Sequence, residues 1–418
     1  MNIKITPGKP RGVAAAPPSK SYAHRMLICG ALAGDSSIRG ISGSEDISAT
    51  VDCLAALGAH VRINEGAAVT TRPPKKTEGI LPEYKCRESG STLRFFIPLA
   101  LALTGGGIFY GSPRLIERGI GVYEEIFAGR GIHIEKKRDC IIIRGSLEAG
   151  EYRIRGDMSS QFITGMLMAL PLLGGDSVIE VLPPVESRPY IDITLDVMDT
   201  FAVKAKEMKT DSFSVKGGQS YLPCDTTVEG DWSNAAFLFA LKRLHVSDDC
   251  SAPGMMEIIG LNAESIQGDR TCLDFFDKID LRTKQTSDIS ACPDLGPVLF
   301  AYAAAKGGGS FTGIKRLRIK ESDRVEAMAR ELGKFGIATE ISENGIIIKK
   351  GNGGHGPCET FSLPAEPLDG HNDHRIVMAV SVLATLTGGV IQGAEAVRKS
   401  YPDFFETLKT LGISLEEI

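Results

Sequence analysis

The chain is 418 residues long, 43% hydrophobic and 24% charged, with a formal net charge of −5. That balance fits a folded globular protein with room for two or more domains, and it excludes a global field for nucleic acid or an anionic membrane surface. Nine cysteines without a CxxC pair argue against a zinc ribbon or a disulfide framework and for a reducing compartment.

The first residues, Met1 to Pro7, have neither the apolar core of a signal peptide nor the Arg/Ser-rich pattern of a transit peptide. The apolar stretches around 95–103 and 166–173 are too short to span a bilayer and contain Pro98 and Pro171. The expectation is a cytoplasmic protein. Along the chain one phrase recurs: a helix end, a turn residue, then an alternating strand. It begins at Leu54, Phe127, Met198, Phe276 (the weakest copy), Leu332 and Leu408. A second strand is expected after each of the first five. Six copies imply a unit of roughly 70 residues, about two strand–helix steps, and hence an α/β fold.

Each unit should hold a further helix. Its start is visible in the stretches 17–21, 88–92, 157–161, 230–234, 293–297 and 371–375. All six offer Ser, Thr, Asp or Asn at a plausible N-cap. Lys20, Arg94, Gln161, His374 and Arg375 cluster at these starts, where helix N-termini favour anions. Ser21 and Arg25 share a helix face and can grip one ligand, or form a capped helix with one exposed arginine. Arg114 and Arg118 flank a turn after Pro113 and suit a carboxylate or phosphate, or plain solvent. His371 and His374 lack a third ligand at metal spacing. No GxGxxG or GxxxxGK[ST] stands in a strand–turn–helix context, which disfavours nucleotide folds.

The most concentrated stretch is Arg318-Ile319-Lys320-Glu321-Ser322-Asp323-Arg324. Ile314, Leu317 and Ile319 read as a buried strand end, and 325–332 has helical periodicity. Ser322 or Asp323 is the expected N-cap, with Glu326 completing a capping box. Two basic and two acidic groups at a helix start can hold an anion while Glu321 moves a proton; a well-capped, solvated helix start is the alternative.

Jointly these motifs resemble the 5-enolpyruvylshikimate-3-phosphate synthase family along nearly the whole chain. The resemblance runs through Pro18-Ser19-Lys20-Ser21 with Arg25, 89–94, 113–118, Gly156-Asp157-Met158-Ser159-Ser160-Gln161, Ser187-Arg188-Pro189-Tyr190 and 229–233. It continues through Pro293-Asp294, 318–324, Asn372-Asp373-His374-Arg375 and Lys399-Ser400-Tyr401-Pro402. It implies two lobes of three βαβαββ units each, an inside-out α/β barrel arrangement, with residues 1–18 and 230–418 in one lobe and 19–229 in the other. A hinge near 18–19 and 229–230 and domain closure on substrate are implied with it.

The implied reaction moves the enolpyruvyl group of phosphoenolpyruvate to the 5-hydroxyl of shikimate 3-phosphate, in aromatic amino-acid biosynthesis. By resemblance Lys20, Ser21, Arg25, Ser159, Ser160, Gln161, Ser187, Asp294, Arg316 and Lys320 hold shikimate 3-phosphate. Lys20, Gly90, Arg118, Gln161, Arg324, Arg375 and Lys399 hold phosphoenolpyruvate. Asp294, Glu321 and Lys20 carry the chemistry, with Glu321 protonating the methylene carbon. Asp294 must be ionised and Glu321 protonated at some stage, so the two need opposite surroundings. No cofactor, metal, nucleic acid or membrane is implied, and the enzyme is expected to act as a monomer.

The chain departs from the family pattern at Glu88-Ser89-Gly90-Ser91, where many members have Asn-Ala-Gly-Thr, at Arg316, which replaces an Asn, and at Gly119, which replaces a Pro. Two rival readings remain. One is the enolpyruvyl transferase acting on UDP-N-acetylglucosamine, which carries a reactive Cys on the loop matching 111–118 and Lys-Asn where this chain has Lys20-Ser21. The other is a non-catalytic repeat scaffold.

Overall fold

In the computed structural model, residues 1–70, 81–209, 211–245, 256–282, 285–351 and 363–418 are described. The chain divides into two compact units, one of 18–229 and one of 1–17 with 230–418.

In the 18–229 unit the strands form three four-stranded sheets of one design. The sheet Glu83–Lys85, Gly106–Tyr110, Cys140–Arg144, His133–Lys136 serves as the pattern: its first pair is parallel and its other two are antiparallel. A helix crosses over between the parallel strands, as such a pair requires. Sheets built on Ser36–Arg39 and on Ser177–Leu182 repeat this order. In the first of these, the edge strand Asp225–Thr227 comes from the far end of the unit. The helices that lead into the second strand of each sheet, Lys20–Ala33, Gly90–Leu103 and Ser160–Ala169, are buried nearly all round, the mark of a central helix. Their N-caps Ser19, Ser89 and Ser159 recur at the spacing the repeat implied.

The other unit has two sheets of the same design and a parallel pair, Val13–Ala15 with Glu257–Ile259. The N-terminal strand Asn2–Ile5 sits inside the sheet that the C-terminal strand Leu415–Glu417 closes. Trp232–Leu244, Gly296–Lys306 and His374–Thr387 are its central helices, and each packs on the other two.

The architecture is therefore α/β with helices inside and sheets outside, but among the described residues no sheet closes into a barrel. Four strands are too few to close, so each sheet stays open. The repeat beginning at Phe276 also differs from expectation. Its helix, Cys272–Asp280, is followed by Ser287–Asp288, a parallel edge strand of the next sheet rather than the arm of a hairpin. Met166 and Met168 are fully buried in the core. The seven described cysteines are free, and Cys250 and Cys358 lie outside the described residues.

Close approach of the central helices depends on Gly165. A Cβ there would lie 2.5 Å from the Arg94 carbonyl and 2.5 Å from the Tyr123 hydroxyl. Gly165→Ala is expected to cost about 1–3 kcal/mol, the usual penalty of overpacking a core. Urea unfolding checks it, and an unchanged midpoint would contradict so tight a contact.

Candidate active site

The 18–229 unit gathers its basic residues at the N-termini of its central helices. Lys20 opens the first, and its Nζ is 2.9 Å from Asp46 Oδ2, with both groups largely buried. One turn on, Arg25 is 3% exposed. Its Nε donates to Thr194 Oγ1, Nη1 to the Ser21 carbonyl, and Nη2 to Thr164 Oγ1 and the Tyr190 carbonyl. Burial pushes its pKa down to about 10. Four donors are thus committed to the scaffold, which leaves one N–H of five for a ligand. The exposed-arginine alternative is excluded.

The second and third helices meet at Gln161. Its Oε1 accepts from Arg94 Nη1 at 2.7 Å, and its Nε2 donates to Ser91 Oγ at 2.9 Å. Gly90 is small for a reason: a Cβ there would lie 2.7 Å from Arg94 Nη1, 3.1 Å from Arg118 Nη2 and 3.4 Å from Gln161 Oε1. Gly90, Arg118 and Gln161 are therefore brought together. Arg118 ends a short helix, Pro113–Arg118, rather than a turn, while Arg114 pairs with Glu117 on the exposed side. Ser159 caps its helix, accepting from Gln161 N, and Ser160 is buried just inside. Ser187 is buried with left-handed backbone, φ 57°, ahead of the Arg188–Thr200 helix.

In the other unit the site is organised around Arg324, 1% exposed at the start of Arg324–Lys334. Its Nε donates to Asp373 Oδ2 at 2.8 Å, Nη1 to Asp294 Oδ1 at 2.8 Å, and Nη2 to Glu321 Oε2 at 2.7 Å. Three carboxylates hold this guanidinium charged, with its pKa raised despite burial. Asp294 is also 3.2 Å from Lys320 Nζ and 3.4 Å from Arg375 Nη2. Lys320 is pushed down to about 8 by burial; Asp294 works against the shift and the Arg316 and Arg324 charges add to it. Lys399 Nζ donates to the Asn372 carbonyl at 2.5 Å. Lys320, Arg324, Arg375, Arg316 and Lys399 together outnumber the three carboxylates, so the cluster retains capacity for an anion.

The strand end and the Asp294 cap differ from expectation, while of the two expected caps Ser322 and Asp323 the structure selects one. Residues 315–319 form a 3₁₀ turn, not a strand end, and Ile319 is half exposed; the strand stops at Thr312, before Gly313 with φ 76°. Asp323 is the cap, accepting from Val325 N and Glu326 N, while Ser322 donates to Asp373 and Glu326 lies beside Arg318. Asp294 is not a cap: it sits in the 3₁₀ turn Pro293–Leu295, its carboxylate taken by the cations around it. The opposite surroundings expected for Asp294 and Glu321 are not seen in this arrangement, because both carboxylates share Arg324.

Sequence reasoning placed Arg94 among the cations at helix starts without assigning it a substrate, and missed Asp46, Asp373, Thr164 and Thr194 as site residues. Only Asp373 had a local signal, as the expected cap of His374–Thr387, which it is. No cluster of three or more metal-ligating side chains occurs among the described residues, and none of their helices is long and apolar enough to cross a membrane.

Basic side chains gathered at helix N-termini, with carboxylates embedded among them, define an enzyme that handles anionic substrates. The family model for EPSP synthase (3-phosphoshikimate 1-carboxyvinyltransferase) matches residues 6–408. The 3-phosphoshikimate 1-carboxyvinyltransferase of Clostridium kluyveri is 38% identical, covering 99% of this chain and 98% of its own. That of Clostridium perfringens is 37% identical, covering 99% of each. Among solved structures, EPSP synthase from Acinetobacter baumannii superposes with a TM-score of 0.77 over 99% of each chain at 21% identity. The enolpyruvyl transferase NikO from Streptomyces tendae gives 0.72 at 14% identity, covering 99% of this chain and 98% of its own. At those identities the structures speak for the fold alone. The chain belongs to the EPSP synthase family, and so to the transferases.

Proposed function

We propose that this chain transfers the enolpyruvyl group of phosphoenolpyruvate to the 5-hydroxyl of shikimate 3-phosphate, releasing phosphate. The observation that carries the reading is the single buried guanidinium of Arg324 bonded to both Asp294 and Glu321, with Lys320 and Arg375 beside them. A scaffold protein would gain little from burying that many charges, since apolar side chains would stabilise the fold at least as well.

Ser21, Ser159, Ser160, Gln161, Ser187, Arg316 and Lys320 hold shikimate 3-phosphate, and Arg25 contributes its one uncommitted N–H. Gly90, Arg118, Gln161, Arg324, Arg375, Lys399 and Lys20 hold phosphoenolpyruvate. Asp294 takes the proton of the attacking hydroxyl as the new C–O bond forms, and Glu321 gives a proton to the methylene carbon. The tetrahedral adduct then expels phosphate, whose departing oxygen takes the proton held by Asp294, while a methyl proton returns to Glu321 and the double bond is restored. Both half-reactions need Glu321 to change protonation state, so arriving phosphoenolpyruvate must loosen its bond to Arg324. A substrate phosphate competing for that guanidinium does this. The enzyme acts as a monomer in the cytoplasm.

Lys320 ties this reading to pH. Its pKa of about 8 means the ammonium is present below that pH and lost above it, while bound phosphate raises the pKa. Affinity for shikimate 3-phosphate should therefore be level up to about pH 8, then weaken up to about tenfold per pH unit. Lys320→Arg should move the onset upward; the same onset in that variant would assign the titration elsewhere.

Calorimetric titration tests the substrate class. Shikimate 3-phosphate should bind and UDP-N-acetylglucosamine should not. The loop 111–118 carries no Cys, and Cys86 and Cys140 are buried outside it. Binding of the UDP-sugar alone, or of neither, would overturn the proposal.

A further inference from the structure

Glu331 has no part in the reaction as assigned, yet it is a carboxylate with 0% exposure on the Arg324–Lys334 helix. His371 Nε2 lies 2.8 Å from its Oε1, and Asp369 N and Lys334 Nζ donate to its Oε2 at 2.9 and 2.8 Å. An ionised carboxylate only accepts, so His371 carries its proton on Nε2. Burial raises the Glu331 pKa, but the bonds from His371, Lys334 and Asp369 N outweigh it and keep the carboxyl below its ordinary range.

Two of those three donors belong to one loop, 369–373, and that loop is strained. His371 and Asn372 both have left-handed backbone, with φ of 49° and 51°. Each such non-glycine residue costs about 1–3 kcal/mol unless its surroundings enforce it. Here the surroundings are Glu331 on the His371 ring and Asp369 Oδ1, which accepts from His371 N at 2.7 Å. The strained pair presents the Asn372 carbonyl to Lys399 Nζ. The next residue, Asp373, accepts from Arg375 N and Arg324 Nε. One helix thus grips the loop twice, through Arg324 at Asp373 and, two turns on, through Glu331 at His371 and Asp369.

We propose that Glu331 is a positioning residue for phosphoenolpyruvate: acting through His371, it holds the Asp369–Asp373 loop in the conformation that places Lys399 and Arg375. The inference rests on the reading that Lys399 and Arg375 hold that substrate. A merely structural group at this depth would be better served by leucine, which carries no desolvation cost.

The test uses the full chain in four variants: Lys399→Met, Glu331→Gln, His371→Ala, and Glu331→Gln with His371→Ala. KM for phosphoenolpyruvate, kcat, the calorimetric Kd for shikimate 3-phosphate and the melting temperature are measured for each. Expected are a KM raised at least about tenfold in Lys399→Met and about three- to thirtyfold in Glu331→Gln and His371→Ala. Kd for shikimate 3-phosphate should stay within about twofold, and the double variant should be no worse than the poorer single one, as for two residues in one link. An effect in Lys399→Met with none in the other two would overturn the role of Glu331 and leave the reading standing. No effect in Lys399→Met would overturn the reading and the inference with it. Equal loss of both substrate affinities, tracking a lowered melting temperature, would make Glu331 a stabilising group only and overturn the positioning role. His371, 15% exposed at its side chain, tolerates truncation better than Glu331, so the question stays answerable if the Glu331 variant fails to fold.

Discussion

Glu321→Gln is expected to lower the turnover rate by roughly 10²–10⁴, the usual worth of one general acid or base. Glutamine keeps the size of the side chain and an oxygen for Arg324, at present 2.7 Å away, but it has no proton to exchange with carbon. Shikimate 3-phosphate affinity should change little, because the groups assigned to that substrate do not include Glu321. Lys320→Met should behave differently: it removes a cation from the substrate contacts, so affinity and rate should fall together. If Glu321 were only a helix-start carboxylate, its loss would cost at most about 1 kcal/mol of stability and leave turnover normal. Near-normal turnover in Glu321→Gln would take it out of the mechanism and leave the carbon proton to Asp294 or Lys20.

Arg324→Met is expected to destabilise the fold by about 3–5 kcal/mol, the cost of stranding buried charges whose partner is gone. Asp373 has 0% side-chain exposure and Asp294 and Glu321 about 20% each, so little water reaches them to compensate. Against a total stability of about 5–15 kcal/mol this is a large fraction. Removing Asp373 in the same chain should return part of the loss, because residues sharing one network are not additive. Denaturant unfolding of the two single variants and the double variant measures it. A loss under about 1 kcal/mol in Arg324→Met would mean that the guanidinium does not hold the cluster together.

The fold was legible from the sequence wherever repetition marked it. Leu54, Phe127, Met198, Leu332 and Leu408 each sit at or near a helix end that leads to a strand, because the phrase combines helical periodicity, a turn residue and alternation. It misled at Phe276, where the chain passes instead to the edge strand Ser287–Asp288. The short apolar run Ile314, Leu317 and Ile319, read as a strand end, belongs instead to the approach and body of a 3₁₀ turn. The expectation of a cap within each stretch is met at 88–92, 157–161, 230–234 and 371–375, where Ser89, Ser159, Asp231 and Asp373 are bonded to their own first turns. It failed at Asp294, because long-range partners claimed the carboxylate first.

The same distinction explains the site. Of the cations assigned by motif, Lys20, Arg324 and Arg375 fall at local helix starts, whereas Arg118, Lys320 and Lys399 fall at the ends of short helical turns. Their partners are invisible in sequence: Asp46 is 26 residues from Lys20, Thr194 is 169 from Arg25, and Asp373 is 49 from Arg324. Only packing brings such residues together, and no local propensity marks them.

Enolpyruvyl transfer between these two substrates is tested by following phosphate release with phosphoenolpyruvate and shikimate 3-phosphate together and singly. Release should occur only with both present, in step with formation of the enol ether product. Release from phosphoenolpyruvate alone, or none with both substrates, would contradict it.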